Sequence, residues 1–435
     1  MLIKSTKDVQ FNIFCIVPYD EPQKWVYNKF PNVDQVVIKP ILRAKASQTS
    51  QPLVRGIRDA LPGLVRQMLV GQALSVEKLN ALKQAYPVSK NWLSTTDYWD
   101  SIVSIYDDHY SNQSLTDFFW TIFGFDSILM DSLNFINEMP EADVYHSLSA
   151  GFAGYACALV SQARKKPMLT IEQGLYLVER RDELARADVS ELYRDLGYKF
   201  SESMVRTTYK YTDKIVPPCY MPHTALEKEM GTAPDKIMVI KNGIEVDRFS
   251  PGHRNGSKPV VGCFARIVPI KGIRELIRAA KIVKARCDVD FVVLGEIQDK
   301  DYHQSCVKLV NELGLAESFK MMGHVKAEEW YKKVDIFTLS SLSEGVPYAL
   351  LEAMSAGLPS VCTAVGGIPE ILSDGVGFAV PPGDPQALAD KLCLLLENKE
   401  LRCSMGKHAT DVAHEKYKLS EMSAKFRALY EEMVK

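Results

Sequence analysis

Ile336-Phe337-Thr338-Leu339-Ser340-Ser341-Leu342-Ser343-Glu344-Gly345-Val346-Pro347-Tyr348-Ala349-Leu350-Leu351-Glu352 decides how the second half of this chain folds. Ile336–Ser340 has the apolar composition of a buried strand, and Ser340–Ser343 is a polar loop. Pro347 suits the first turn of a helix, where its fixed φ fits and its missing N–H costs nothing. That helix continues to Ala356, Gly357-Leu358-Pro359 ends it, and Ser360–Cys362 opens another strand. Outward from this unit the alternation repeats. Val260–Phe264, Val289–Leu294, Phe319–Met322 and Gly377–Val380 read as strands, and Ile273–Ala285 and Tyr302–Leu313 as amphipathic helices. Strands alternating with helices of about 10–15 residues predict parallel βαβ units and a doubly wound α/β sheet.

The first half uses the same pattern with an interruption. Phe11–Val17 and Gln35–Ile41 read as strands, whereas Leu53–Met139 is mainly helical and holds Trp92, Trp99, Phe118, Phe119 and Trp120. Strand patterns resume at Ala142–His146, Met168–Ile171, Lys214–Val216 and Ile237–Ile240. The expectation is a Rossmann-like half with a helical insertion at about 53–140. Lys241-Asn242-Gly243 marks the boundary, because Asn-Gly favours a turn. Residues 1–241 and 242–418 are thus expected as two domains, and the amphipathic tail 419–434 as a helix packing back on the first.

A chain of 435 residues fits two domains of ordinary size. The apolar fraction of 46% and charged fraction of 24% exclude a disordered or fibrous chain. With 52 Lys and Arg against 54 Asp and Glu, there is no basic platform for nucleic acid. Met1–Gln10 lacks a signal-peptide core, and the apolar tract Phe118–Phe125 is too short to span a bilayer. The nine cysteines form no C-x-x-C pair, which predicts a reduced, cytoplasmic protein without a structural zinc site.

The chemistry concentrates on two loops. Glu344 follows a parallel strand at its carboxyl end, where open α/β sheets bind ligands. Glu352 lies further along the next helix, and the amides of Tyr348 and Ala349 at that helix start can point at an anion. Upstream, Arg266 and Lys271 sit five residues apart on a strand-to-helix loop, a spacing that can clamp a diphosphate. Singly, each has a plain reading: a loop carboxylate, an exposed helix position, two solvated cations. Together they suggest a nucleotide diphosphate ligand. Asp288-Val289-Asp290 precedes its strand and reads as polarity at the strand start rather than as a metal motif.

Residues 260–272 and 335–385 resemble the donor domain of the family-4 retaining glycosyltransferases, which have the GT-B fold. Val361–Glu370 and Gly375–Phe378 match the same pattern. The first half is similar to the exopolysaccharide branch typified by PelF, on Ala142–Ser147, Gly151–Gly154, Glu172–Tyr176 with Glu179-Arg180, and the insertion with Phe118-Phe119-Trp120. The resemblance implies a GT-B-like α/β fold of two Rossmann-like domains facing a cleft, the second binding the donor. It implies a retaining, metal-independent hexosyltransferase that moves sugar from a nucleotide-diphospho-sugar, UDP-linked, to a glycan acceptor in exopolysaccharide biosynthesis. By that resemblance Arg266 and Lys271 hold the donor diphosphate, Glu344 the sugar hydroxyls and Glu352 the ribose. Backbone around Val325 meets the base, and His146 and Gln173 lie on the acceptor side. No cofactor and no metal are implied, and association with a membrane polysaccharide-export complex is allowed.

Two departures keep a second reading open. The first glycine is Gly56, so no glycine-rich loop follows Phe11–Val17, as if the family's opening unit were missing. Gln173 stands where the PelF-like branch has His, and a Gln amide carries neither proton nor charge at neutral pH. The alternative is a catalytically weakened glycosyltransferase-like protein that binds nucleotide-sugars or acts as a scaffold. A nonhydrolysing sugar-nucleotide epimerase on the same fold is disfavoured by the two glutamates and the Arg/Lys pair.

Overall fold

The computed structural model describes residues 2–17, 30–40, 55–85, 96–220, 231–249, 251 and 258–435; Ile41, Leu53 and Trp92 lie outside them. The chain divides into two compact units. One comprises Thr6–Pro217, Ala225–Met238 and Arg427–Lys435, the other Met1–Ser5, Pro218–Thr224 and Val239–Phe426.

In the first unit, β1 (Phe11–Val17) pairs in parallel with β2 (Val33–Pro40). A second parallel sheet holds β3 (Tyr145–Ser147), β4 (Met168–Ile171) and β5 (Lys214–Val216) in that order. The tract Ile237–Ile240 is not a strand. It makes one bridge from Ile237 to Ile215, and past Met238 the chain groups with the other unit, so no ladder can extend. Between β2 and β3 run helices Arg55–Leu69, Val76–Ala85, Thr96–His109 and Leu115–Glu138. The last is capped by Ser114, whose hydroxyl accepts the Asp117 N–H. It buries Phe118, Ile122, Phe125, Leu129 and Leu133 at helical spacing and leaves Trp120 61% exposed. Tyr98, Ile102 and Ile105 of the neighbouring helix are buried in the same cluster.

In the second unit, β6 (Val260–Phe264), β7 (Asp290–Leu294), β8 (Phe319–Met321), β9 (Ile336–Leu339), β10 (Ser360–Thr363) and β11 (Gly377–Val380) form one sheet. All pairings are parallel and the order is β8-β7-β6-β9-β10-β11, that of a doubly wound dinucleotide fold. Every residue of β6, β9 and β10 is buried, as helices covering both faces require. Lys241-Asn242-Gly243 lies just past the change of unit at Met238 and belongs wholly with this sheet. The Asn242 amide donates to Val346 O at 3.2 Å and the Ile244 N–H to Tyr417 O at 2.8 Å.

The tail is one helix, Leu419–Val434, divided between the units after Phe426. Its end sits against first-unit residues: Tyr430 Oη is 2.7 Å from His146 Nδ1, and Arg427 Nε 2.8 Å from Asp8.

Candidate active site

Strand order reverses between β6 and β9, and the loops leaving their carboxyl ends meet at that point. Two glycines make the approach close. Gly272 has φ +60°, and a Cβ there would lie 2.1 Å from Ser340 O; Gly366 has φ +55°, and its Cβ would lie 1.8 Å from Glu344 O. Only glycine fits such positions. Ser340 Oγ donates to Gly272 O at 2.9 Å, and the Leu342 N–H to Ile270 O at 2.8 Å. From β10, Thr363 Oγ1 donates to Ser341 O at 2.6 Å.

These ties place Lys271 against Glu344. Lys271 Nζ is 2.6 Å from Glu344 Oε1, with side chains 15% and 8% exposed. Ser341 Oγ donates to the same oxygen at 2.6 Å. Glu344 Oε2 has no donor among the described residues and can accept a ligand hydroxyl. Arg266 is held elsewhere: its Nη1 donates to Gln298 Oε1 at 2.8 Å on the loop after β7, and both groups are exposed. Lys271 and Glu344 are thus in contact, while Arg266 stands on a neighbouring loop with no carboxylate partner among the described residues.

Pro347 caps helix Tyr348–Ser355, so the N–H groups of Tyr348 and Ala349 come first and have no intrahelical acceptor. Glu352 is half-buried rather than an exposed helix position. Tyr331, 1% exposed, donates from its hydroxyl to Glu352 Oε2 at 2.8 Å and lies 3.2 Å from Ala349 O. Burial raises the Glu352 pKa above the ordinary carboxylate value, and the Tyr331 hydrogen bond works against that rise. Val325, half-buried against the sheet core, follows β8 on a loop that Gly295 N–H fastens through Gly323 O at 2.9 Å. Asp288 and Asp290 share the Lys258 ammonium at 3.1 and 2.6 Å, an ion-pair cluster at the start of β7.

In the first unit His146 lies within β3 rather than at its end, and loss of water around the ring pushes its pKa down to about 4. Gln173 is exposed just after β4. Its neighbour Glu172 is buried, accepts the Tyr176 N–H at 2.7 Å, and has its pKa pushed up by burial to about 8. Ser341, Tyr331 and Glu172 went unremarked in the sequence as site residues. Ser341 carried a signal, three positions before Glu344 in a loop. Tyr331 carried none.

Residues 245–412 match the family described as Glycosyl transferases group 1. That stretch of the chain is a group 1 glycosyltransferase domain. Residues 1–235 match a domain of unknown function, DUF3492. Among curated relatives, the amylovoran biosynthesis glycosyltransferase AmsK of Erwinia amylovora is 34% identical over 190 residues, 39% of this chain and 44% of AmsK. A D-inositol 3-phosphate glycosyltransferase of Paenarthrobacter aurescens is 30% identical over 42% of this chain and 49% of its own. The chain thus spans about half the length of the curated relatives it matches.

Solved glycosyltransferase structures share the fold. HepE of Anabaena, crystallised with UDP and glucose, superposes with a TM-score of 0.59 at 18% identity, covering 69% of this chain and 81% of HepE. Sucrose-phosphate synthase of Thermosynechococcus elongatus reaches 0.62 at 15% identity over 99% and 91% of the two chains. The α/β architecture of the chain is that of the GT-B class. Among the described residues no helix is long and apolar enough to cross a membrane.

Proposed function

We propose that the protein is a cytoplasmic, retaining, metal-independent hexosyltransferase that uses a UDP-linked sugar to extend a glycan in exopolysaccharide synthesis. The observation that carries this reading is the Lys271–Glu344 pair at the point where strand order reverses, beside the first free amides of helix Tyr348–Ser355. A diphosphate bridging Lys271, Arg266 and those amides would meet positive charge where a leaving group develops negative charge. The bond from the anomeric carbon to the diphosphate breaks, and the acceptor oxygen bonds that carbon on the same face. The acceptor's proton passes to the departing diphosphate, so the protein need not supply a base. Glu344 Oε2 would accept from a sugar hydroxyl, Glu352 from the ribose, and backbone at Val325 would meet the base. His146 and Gln173 would serve the acceptor. HepE's crystal with UDP and glucose supports the donor class, and AmsK's part in amylovoran synthesis supports the product class. A membrane polysaccharide-export complex is the partner this reading implies.

The test incubates the protein with UDP- and GDP-sugars, with and without chelator, and follows nucleotide release and the anomeric configuration of the product by NMR. Transfer with retention, unaffected by chelator, supports the proposal. Donor binding without turnover supports the alternative of a nucleotide-sugar-binding protein, and failure to bind any donor sinks both.

A further inference from the structure

Away from the loops that carry Lys271 and Glu344, three side chains converge that neither the family nor the donor chemistry uses. Cys287 follows helix Ile273–Lys284, its N–H anchored to Val283 O at 2.8 Å. Cys393 and Glu397 occupy the last turns of helix Pro385–Glu397. The two sulfur atoms and a Glu397 oxygen lie within 4.8 Å of one another, and Cys287 Sγ is 3.8 Å from Glu397 Oε1. We propose that Cys287, Cys393 and Glu397 bind a thiophilic divalent cation of the zinc class, with water as the fourth ligand.

Ligand distances fit one ion. Zinc bonds of about 2.3 Å to sulfur and 2.1 Å to oxygen put tetrahedral neighbours roughly 3.6–3.8 Å apart. The Cys287–Glu397 separation already has that value, so binding needs only a small closing of Cys393. Charge also fits. Two thiolates and a carboxylate leave a divalent ion with one excess negative charge, and Arg286 Nη2 stands 3.5 Å from Glu397 Oε1 to offset it. Asp390, 2.9 Å from Arg286 Nη1, orients that guanidinium as an outer partner.

Access is open on one side, since Cys287 is half-buried and Glu397 exposed while Cys393 is fully buried. A cation displaces the two thiol protons as it binds. The ion would fasten the ends of two packed helices, the first of which begins one residue after Gly272. This site is structural and separate from the metal-independent chemistry proposed above.

The full chain, reduced and stripped of metal, is titrated with zinc against a chromophoric chelator, alongside C287S/C393S and E397Q. The parent should take up one more equivalent than the double variant, and E397Q should bind at least ~10-fold more weakly. Cobalt should give a thiolate charge-transfer band in the parent alone. Zinc should also protect Cys287 of the unaltered chain from alkylation, a readout independent of how the variants fold. Equal uptake by parent and double variant overturns the proposal, as does unchanged alkylation of Cys287 in zinc.

Discussion

Lys271 Nζ and Glu344 Oε1 stand 2.6 Å apart although 73 positions separate the residues in the chain. Each sits on a different loop, and the contact forms because β6 and β9 are adjacent in the sheet. A nearly buried ion pair holds a cation and a carboxylate ready without exposing either to competing water. In the proposed function an incoming diphosphate would share Lys271 with Glu344, whose carboxylate would weaken anion binding while orienting the sugar.

The first prediction follows from that competition. Glu344→Gln removes a negative charge beside Lys271, so calorimetric affinity for free UDP should hold or rise. Sugar transfer should fall by about 100-fold or more, since a contact realised in the transition state is lost. Loss of UDP affinity in this variant would contradict the assigned geometry.

Among the described residues Arg266 has no carboxylate partner and donates to Gln298. Its substitution should therefore disturb folding little and binding substantially. Arg266→Ala should cost about 1.5–3 kcal/mol of UDP-sugar affinity, the worth of a charge-assisted contact. An unchanged calorimetric titration, with unchanged melting temperature, would remove Arg266 from the site.

Buried Tyr331 donates a hydrogen bond to the half-buried Glu352. Glu352→Ala should weaken UDP and UDP-sugar alike. In Tyr331→Phe the carboxylate loses its donor, so its pKa rises further above the ordinary value. UDP affinity that depends on ionised Glu352 is lost as pH falls through that pKa. The loss should begin at higher pH in Tyr331→Phe than in the parent, and superimposable pH profiles would show that Glu352 does not meet the nucleotide.

Asp126 is buried in the helical insertion, accepts the Tyr98 hydroxyl at 2.8 Å, and is pushed up by burial to about 7. The unfolded group titrates near ~3.9. Between those values the folded chain holds a proton that the unfolded chain has released, so stability falls as pH rises from about 4 to about 7. Asp126→Asn keeps an acceptor for Tyr98 and abolishes the titration. Denaturant melts should show it more stable than the parent at pH 8 by up to about 4 kcal/mol, with the difference shrinking toward pH 4. A difference independent of pH would mean that Asp126 stays ionised in the fold.

The second unit was legible in the sequence strand by strand, because helices cover both faces of a parallel sheet and leave each strand a continuous apolar run. The positions of Arg266, Lys271, Glu344 and the helix start followed, since ligands gather where such strands end. Ile237–Ile240 has the same composition and is no strand, because composition cannot say whether a neighbour is available to extend a ladder. Local sequence therefore determined which residues are strands, caps and loop charges, properties set by interactions within a few positions. Tertiary structure alone decided that Lys271 pairs with Glu344 while Arg266 turns to Gln298, that Glu352 rests on Tyr331, and that Cys287 meets Glu397 across 110 positions. Those meetings depend on which strands and helices become neighbours, and chain separation carries no record of that until the sheet has formed.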